Sequence, residues 1–270
     1  EEQSMVKGLY TAWSGMVNEM NQLDVMTNNL ANADTNGYKK EGATSQTFDE
    51  HLAVKIRDLS DNGLPVPLGH VTPGVMIGET YTDYSQGSFR VTDSQYDVAL
   101  DGDGFFAVSF TSKDGETSVK YTRDGAFTVN TDGYLVTKDG DYVLNQAGAQ
   151  NGDPGANNFI RLDPNQEFKI DEKGFIWQND QVVAQLGTVD FEDYNYLEKY
   201  GENLYQTVDG AVSTAANARV RQGYIEASNV NVVSEMVNMI TISRAYESNQ
   251  KVIQTVDGML DKAVNNVGRV

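Results

Sequence analysis

The chain predicts an α+β protein in which long N- and C-terminal helices form a discontinuous coiled coil and the middle folds as an antiparallel β-rich domain. Apolar residues recur at three- and four-residue steps near both ends, and short β-rich runs between them are punctuated by Asp-Gly pairs. With 270 residues there is ample chain for a core, although the absence of cysteine removes disulfides from consideration.

The N-terminal element begins behind residues 1–4, which read as a remnant ahead of a native start at Met5 and are left out of fold reasoning. Leu9, Trp13, Met16, Met20, Leu23, Met26 and Leu30 form one helical stripe, with Asn18, Asn21, Asp24 and Asn28 mostly off it. Asn36-Gly37 is the expected stop, since glycine enters the left-handed conformation of a helix C-cap without steric cost. Asn28 and Asn32, four apart, share a helix face beside Ala31. Carboxamides both donate and accept, so the pair suits an interface between closely packed helices that must distinguish registers. The alternative is a polar helix end relaxing into solvent.

From Phe48 to Tyr205 the runs VALDGDGFFAVSF, YTRDGAFTVNTDGYLVTKDGDYVL, FKIDEKGFIWQ and VVAQLGTVDF read as strands. Asp124-Gly125, Asp132-Gly133 and Asp139-Gly140 are expected to be hairpin turns of an antiparallel meander. Residues 150–158, QNGDPGANN, read as a loop or sub-domain junction.

The C-terminal stripe is long: Met236, Ile240, Ser243, Tyr246, Asn249, Ile253, Val256, Leu260, Ala263 and Val267. Asn231 is the expected N-cap, with Glu235 in the first turn where the helix dipole favours a carboxylate. A helix from 231 to 267 would reach roughly 55 Å, against about 35 Å for Leu9 to Ala31. Glu235, Arg244, Glu247, Lys251, Asp257 and Asp261 exclude a membrane span and leave a coiled coil. Neither helix can bury its stripe alone, so the two are expected to pair and leave surplus apolar edge on the longer one. The implied boundaries are 5–40 for the first helix, 41–90 for an extended linker or β segment, 91–225 for the β domain and 226–270 for the last helix.

Composition and motifs narrow the function. The 39 Asp and Glu against 20 Lys and Arg, a formal charge of −19, work against nucleic-acid binding. The N-terminal apolar residues are too interrupted for a secretory signal. GDGFFA, residues 102–107, matches the dinucleotide fingerprint, but Phe105, Phe106, Val108 and Phe110 continue as a strand where a helix is needed, so a hairpin turn is expected. Counted from Asp101, a calcium loop would need glycine where Phe106 stands and glutamate where Ser112 stands. His51 and His70 have no zinc spacing, and neither a nucleophile elbow nor a P-loop occurs. No enzyme activity, cofactor or metal is expected, and acids are too abundant for any pair to be singled out for glycoside hydrolysis.

Three ordered segments resemble the axial proteins of the bacterial flagellar rod and hook. TAWSGMVNEMNQLDVMTNNLANADTNGYKK is similar to the family's N-terminal signature, through Ser14, Gly15, Met16, Asn28, Asn29, Leu30, Ala31, Asn32 and Gly37. SQG at 85–87, LDGDGFFAV and YTRDGAFTVNTDGYLVTKDG resemble its central β signature, and QGYIEASNVNVVSEMVNMITISRAYESNQKVIQTVDGML resembles its C-terminal helix. Residues 43–80 and 145–170 depart from the pattern. Within the family the chain is most similar to the rod branch, distal or proximal, because typical hook proteins carry extra β domains.

The resemblance implies a structural subunit exported largely unfolded through the flagellar type III channel without a cleavable signal. Its terminal helices would become coiled coils on joining a hollow, torque-transmitting tube of the basal body. Implied partners are further copies, other rod and hook subunits, the export apparatus in transit and a bushing ring around the rod, with no nucleic acid and no membrane insertion. The expected assembly residues are Leu9, Trp13, Met16, Leu23, Asn28, Leu30 and Asn32 in the first helix, and Met236, Ile240, Tyr246, Ile253, Val256 and Leu260 in the last. Two rivals stay open: a short hook or hook-junction subunit, and a secreted β-rich adhesin with a helical oligomerisation stalk.

Overall fold

The computed structural model describes residues 2–55, 66–164, 166–201, 203–262 and 264–265. These fall into two compact units. The helical unit takes the described residues of Glu1–Ala31, Glu41–Asp83 and Asn231–Val270, and the β unit takes Asn32–Lys40 and Tyr84–Val230.

The helical unit opens with α1 (Glu2–Ala31). After it come β1 (Glu41–Thr47), β2 (His51–Lys55), β3 (Val66–Val71) and β4 (Val75–Thr82). β1 pairs antiparallel with β4, from Glu41↔Thr82 to Thr47↔Val75, with a bulge between Ala43 and Ser45. β2 and β3 form a second antiparallel pair. Of the stretch 41–90, expected as an extended linker or β segment, residues 41–82 carry four strands.

α1 stops at Ala31, six residues ahead of the expected stop at Gly37. Local bonds end it: the Thr35 amide and hydroxyl both donate to Asn32, an alternative that Asn and Thr offer the backbone in place of helix. Gly37 does have φ +67, but its place is in the β unit, where a Cβ would lie 2.4 Å from the carbonyl carbon of Arg123. It is glycine for close approach as well as for dihedral.

The β unit runs β5 (Phe89–Val91), β6 (Val98–Asp101), β7 (Phe105–Thr111), β8 (Thr117–Thr122), β9 (Thr128–Val129), β10 (Leu135–Val136), β11 (Tyr142–Val143) and the short helix α2 (Gln146–Asn151). It continues through β12 (Phe168–Ile170), β13 (Phe175–Gln178), β14 (Gln181–Gln185), β15 (Thr188–Phe191), β16 (Leu197–Tyr200), β17 (Leu204–Thr207), β18 (Ser213–Ala215), β19 (Arg219–Gln222) and β20 (Tyr224–Glu226). The main sheet has the order β16-β17-β8-β7-β11-β10-β9, with β15 joining β7 and β18. The strand pairs are antiparallel, as the Asp-Gly punctuation implies.

β7 lies at the centre. Phe106 and Val108 enter one core with Leu100, Leu135, Ile160 and Ile176, while Phe105 and Ala107 enter a second with Tyr121, Val189, Phe191 and Tyr205. Side chains alternate along a strand, so the unbroken apolar run FFAV marks a strand buried on both faces.

Three sequence expectations are corrected here. Gly102 and Gly104 are not a hairpin turn, because β6 pairs with β19 and β7 with β8; they carry the chain from one sheet to another. Asp124-Gly125 is not a positive-φ turn either: a Cβ on Gly125 would sit 1.6 Å from the Val98 carbonyl oxygen, so the glycine permits a close crossing. Residues 150–158 are partly helical, since Asn145 caps α2 by accepting from the Gly148 amide.

The chain then returns to the helical unit as α3 (Val232–Lys262). Asn231 is its N-cap, its Oδ1 accepting from the Ser234 amide at 3.1 Å. Among the described residues α1 and α3 are matched in length, 30 and 31 residues, and Ala263 and Val267 of the expected stripe lie outside the described residues.

Candidate assembly interface

A mid-helix polar row positions α1. Thr11, Ser14, Asn18, Gln22 and Asn29 are spaced by three, four, four and seven residues, which places them on one face. Thr11 Oγ1 donates to the Pro73 carbonyl (3.0 Å), and Ser14 Oγ accepts from the Val75 amide (3.4 Å). Asn18 Nδ2 and Gln22 Nε2 both donate to Ser45 Oγ (3.0 and 2.7 Å). Asn29 acts like a strand neighbour: its Nδ2 donates to the Glu41 carbonyl (2.7 Å) and its Oδ1 accepts from the Glu41 amide (2.9 Å). The face of α1 laid on the β1/β4 pair is thus its polar one. Ser14, Asn18 and Asn29 are buried while Trp13 and Met20 are exposed.

The adjacent pair Ser14-Gly15 wedges α1 between two neighbours. A Cβ on Gly74 would lie 2.2 Å from Ser14 Oγ, and a Cβ on Gly15 would lie 2.9 Å from the Asn249 amide nitrogen. Glycine therefore lets α3 approach with Asn249 seated on it. Along α3, burial follows Glu235, Met239, Ile242, Tyr246, Asn249, Ile253 and Val256, alternating steps of four and three. This is the helix seam, and it corrects the upstream part of the sequence stripe. Ile240, Ser243, Tyr246 and Asn249 are joined by three consecutive three-residue steps, each of which lags a full turn by about 60°. The stripe read from the sequence therefore drifts off the seam, and Met236 and Ile240 emerge exposed.

Leu9, Trp13 and Ile253 come together and, with Tyr10, line an apolar depression of about 370 Å³. Tyr246 and Val256 lie in the seam, Leu260 is exposed, and Met16, Leu23 and Leu30 are half-buried. Asn28 is exposed, whereas Asn32 is buried beyond the helix in the β unit. The two asparagines therefore do not share a helix face. Ser14, Gly15 and Asn29, known from the sequence only through the family signature, and Asn249, known only as a member of the C-terminal stripe, were not among the expected assembly residues; the regular polar row was the signal that could have singled out Ser14 and Asn29.

In the β unit the N-terminal, SQG, TRDG and EASN segments converge on a buried ion cluster. Glu226 Oε1 accepts from Lys39 Nζ (2.6 Å) and the Gly87 amide (2.8 Å), and Glu226 Oε2 accepts from Arg123 Nη1 (3.2 Å). Lys39 Nζ also donates to the Ser85 carbonyl, and the Gly37 amide donates to the Glu226 carbonyl. The three side chains are 1–3% exposed. The cluster ties the chain stretch that follows α1 to the one that precedes α3. Nearby, burial pushes Asp124 above the usual carboxylate range, partly opposed by its bond from the Ala126 amide.

These features are those of close helix packing and a buried ion cluster, with large apolar side chains left at the surface of the helical unit. Among the described residues no helix is long and apolar enough to cross a membrane. Comparison with known proteins gives the family. Residues 9–39 match the family described as flagella basal body rod protein, 99–178 the flagellar hook protein FlgE/F/G D1 domain, and 221–266 the flagellar basal body rod FlgEFG protein C-terminal family. The flagellar basal-body rod protein FlgG of Buchnera aphidicola subsp. Schizaphis graminum is 34% identical over 276 residues, covering 96% of this chain and 98% of the relative. FlgF of Caulobacter vibrioides is 33% identical, covering 98% and 100%, and FlgG of Bacillus subtilis is 33% identical, covering 97% and 99%. The chain belongs to the flagellar basal-body rod protein family, a family of structural proteins.

Proposed function

We propose that this chain is a rod subunit that polymerises through α1 and α3 into a hollow tube, with other rod and hook subunits as neighbours. The observation that carries this reading is the inverted use of α1. Its polar row is consumed by the β1/β4 pair, while Trp13 (56% exposed) and Tyr10 (63%), with Met236, Val237 and Ile240 on α3, are left at the surface. Scattered exposed apolar residues need no explanation, but apolar rows on both helices of one unit mark an interaction surface. Covered by equivalent helices of neighbouring subunits, the seam of α3 would extend into the discontinuous coiled coil that the family resemblance implies. A tube held this way transmits torque because each subunit is clamped along two long helices. Export through the type III channel and a bushing ring around the rod belong to the same reading.

Negative-stain electron microscopy of the concentrated full chain beside its Ile240→Asp variant tests it. Tubes or protofilaments from the parent chain alone support the reading. Equal assembly by both proteins, or discrete closed oligomers from both, would refute it and favour the adhesin-like alternative.

A further inference from the structure

We propose that the start of α3 in one copy docks head-to-tail into the Leu9/Tyr10/Trp13/Ile253 depression of a second copy, an inference that rests on the polymerisation reading above and specifies its contact. Val233, Met236, Val237 and Ile240 stand at i, i+3, i+4 and i+7, and each is at least half exposed. They form one apolar stripe off the α3 seam, the pattern by which a helix anchors in an apolar groove. The depression is the matching groove, open and apolar in lining.

Charge selects the occupant. The chain carries −19, so two copies repel wherever their acidic surfaces meet. The α1 wall of the depression and the stripe are neutral windows in that surface, while Ile253 on the other wall has the exposed Lys251 and Asp257 beside it. Residues 8–18 contain no charged residue, and 227–243 contain only Glu235, which is buried. A second copy can therefore lay the stripe against the α1 wall of the depression without burying an unpaired charge.

Geometry selects the mode. Gly15 meets Asn249 while Leu9 and Trp13 meet Ile253, so α1 and α3 run antiparallel. Val237 is sixteen residues before Ile253 on α3, about 24 Å at ~1.5 Å per residue, so no copy fills its own depression. Two-fold pairing of stripe on stripe would leave both depressions open, whereas stripe in depression uses both surfaces. Such a contact joins different patches, so it propagates from copy to copy as a helical array unless its rotation closes a ring.

The absence of cysteine makes the test clean. The full chain carrying both Trp13→Cys and Val237→Cys, treated with a short bis-maleimide under assembling conditions, is expected to give a ladder of covalent multimers. A mixture of the two single variants should give covalent dimers and nothing larger. Dimers from Val237→Cys alone would show two-fold stripe pairing and overturn the proposal. Assembly by light scattering without the mixed cross-link would overturn the contact and leave the polymerisation reading standing. Failure of the uncross-linked chain to assemble at any concentration would overturn both.

Discussion

Glu226→Gln isolates what the buried ion cluster contributes to the β unit. The substitution keeps side-chain size and one acceptor oxygen but removes the negative charge shared by Lys39, Arg123 and the Gly87 amide. Two cations with side chains 1% and 3% exposed are then left without their carboxylate, and the new amide turns a donor towards donors. Breaking a buried pair from one side costs about 3–5 kcal/mol. For a unit of roughly 150 residues that corresponds to a Tm lowered by about 6–20 °C. The assay is thermal unfolding followed by the near-ultraviolet signal of the tyrosines, with hydrogen exchange of β7 and residues 225–229 as the local readout. Adding Lys39→Met should restore part of the loss, because one uncompensated cation goes with it, and a coupling above ~1 kcal/mol is expected for groups in contact. A loss below about 1 kcal/mol, or simple additivity of the two changes, would show that solvent already compensates the cluster and refute the reasoning.

Ile253→Asp places a carboxylate in the wall of the α1/α3 depression and should abolish assembly in a sedimentation assay, with hydrogen exchange across β7 and β8 unchanged. Gly15→Val pushes branched carbon onto the Asn249 amide and should cost about 1–3 kcal/mol of helical-unit stability, with Asn249→Ala restoring much of it; full tolerance of the valine in thermal melts would contradict the close approach. Asn29→Ala removes both side-chain bonds to the Glu41 backbone at about 0.5–1.5 kcal/mol for each bond, read as faster exchange in β1. Asp124 has its pKa raised by burial, so the folded state holds its proton more tightly than the unfolded chain. It therefore subtracts stability as pH rises from the ordinary aspartate range through its folded pKa. Asp124→Asn should remove that part of the pH dependence in denaturant titrations, and an unchanged slope would speak against it.

Much of the architecture was legible because it depends on local rules. Three-four spacing marked both helices, Asn231 marked the start of α3, and Asp-Gly pairs marked an antiparallel β middle. The misreadings share one origin. A glycine's identity shows that a side chain is excluded but not by what: Gly125 yields to the Val98 carbonyl, Gly37 to the Arg123 backbone and Gly15 to Asn249. Likewise spacing singled out Asn28 and Asn32, yet it is Asn29 that bridges to the Glu41 backbone through both its amide nitrogen and its oxygen. That role depends on where β1 returns, which no spacing within the helix encodes.

By itself the sequence determined that two long helices bracket an antiparallel β domain and that the chain carries the signature of the flagellar rod family. The tertiary structure decided which face of each helix points inward, because a 3.6-residue period defines a stripe but not what will cover it. Here backbone and side-chain groups from residues 41–75 took the polar face of α1, leaving Tyr10, Trp13 and Met20 exposed. It also decided that Lys39 and Glu226, 187 residues apart, share one buried cluster. Charges are buried only where a partner meets them, and that partner is supplied by the folded chain, not by its neighbours in sequence.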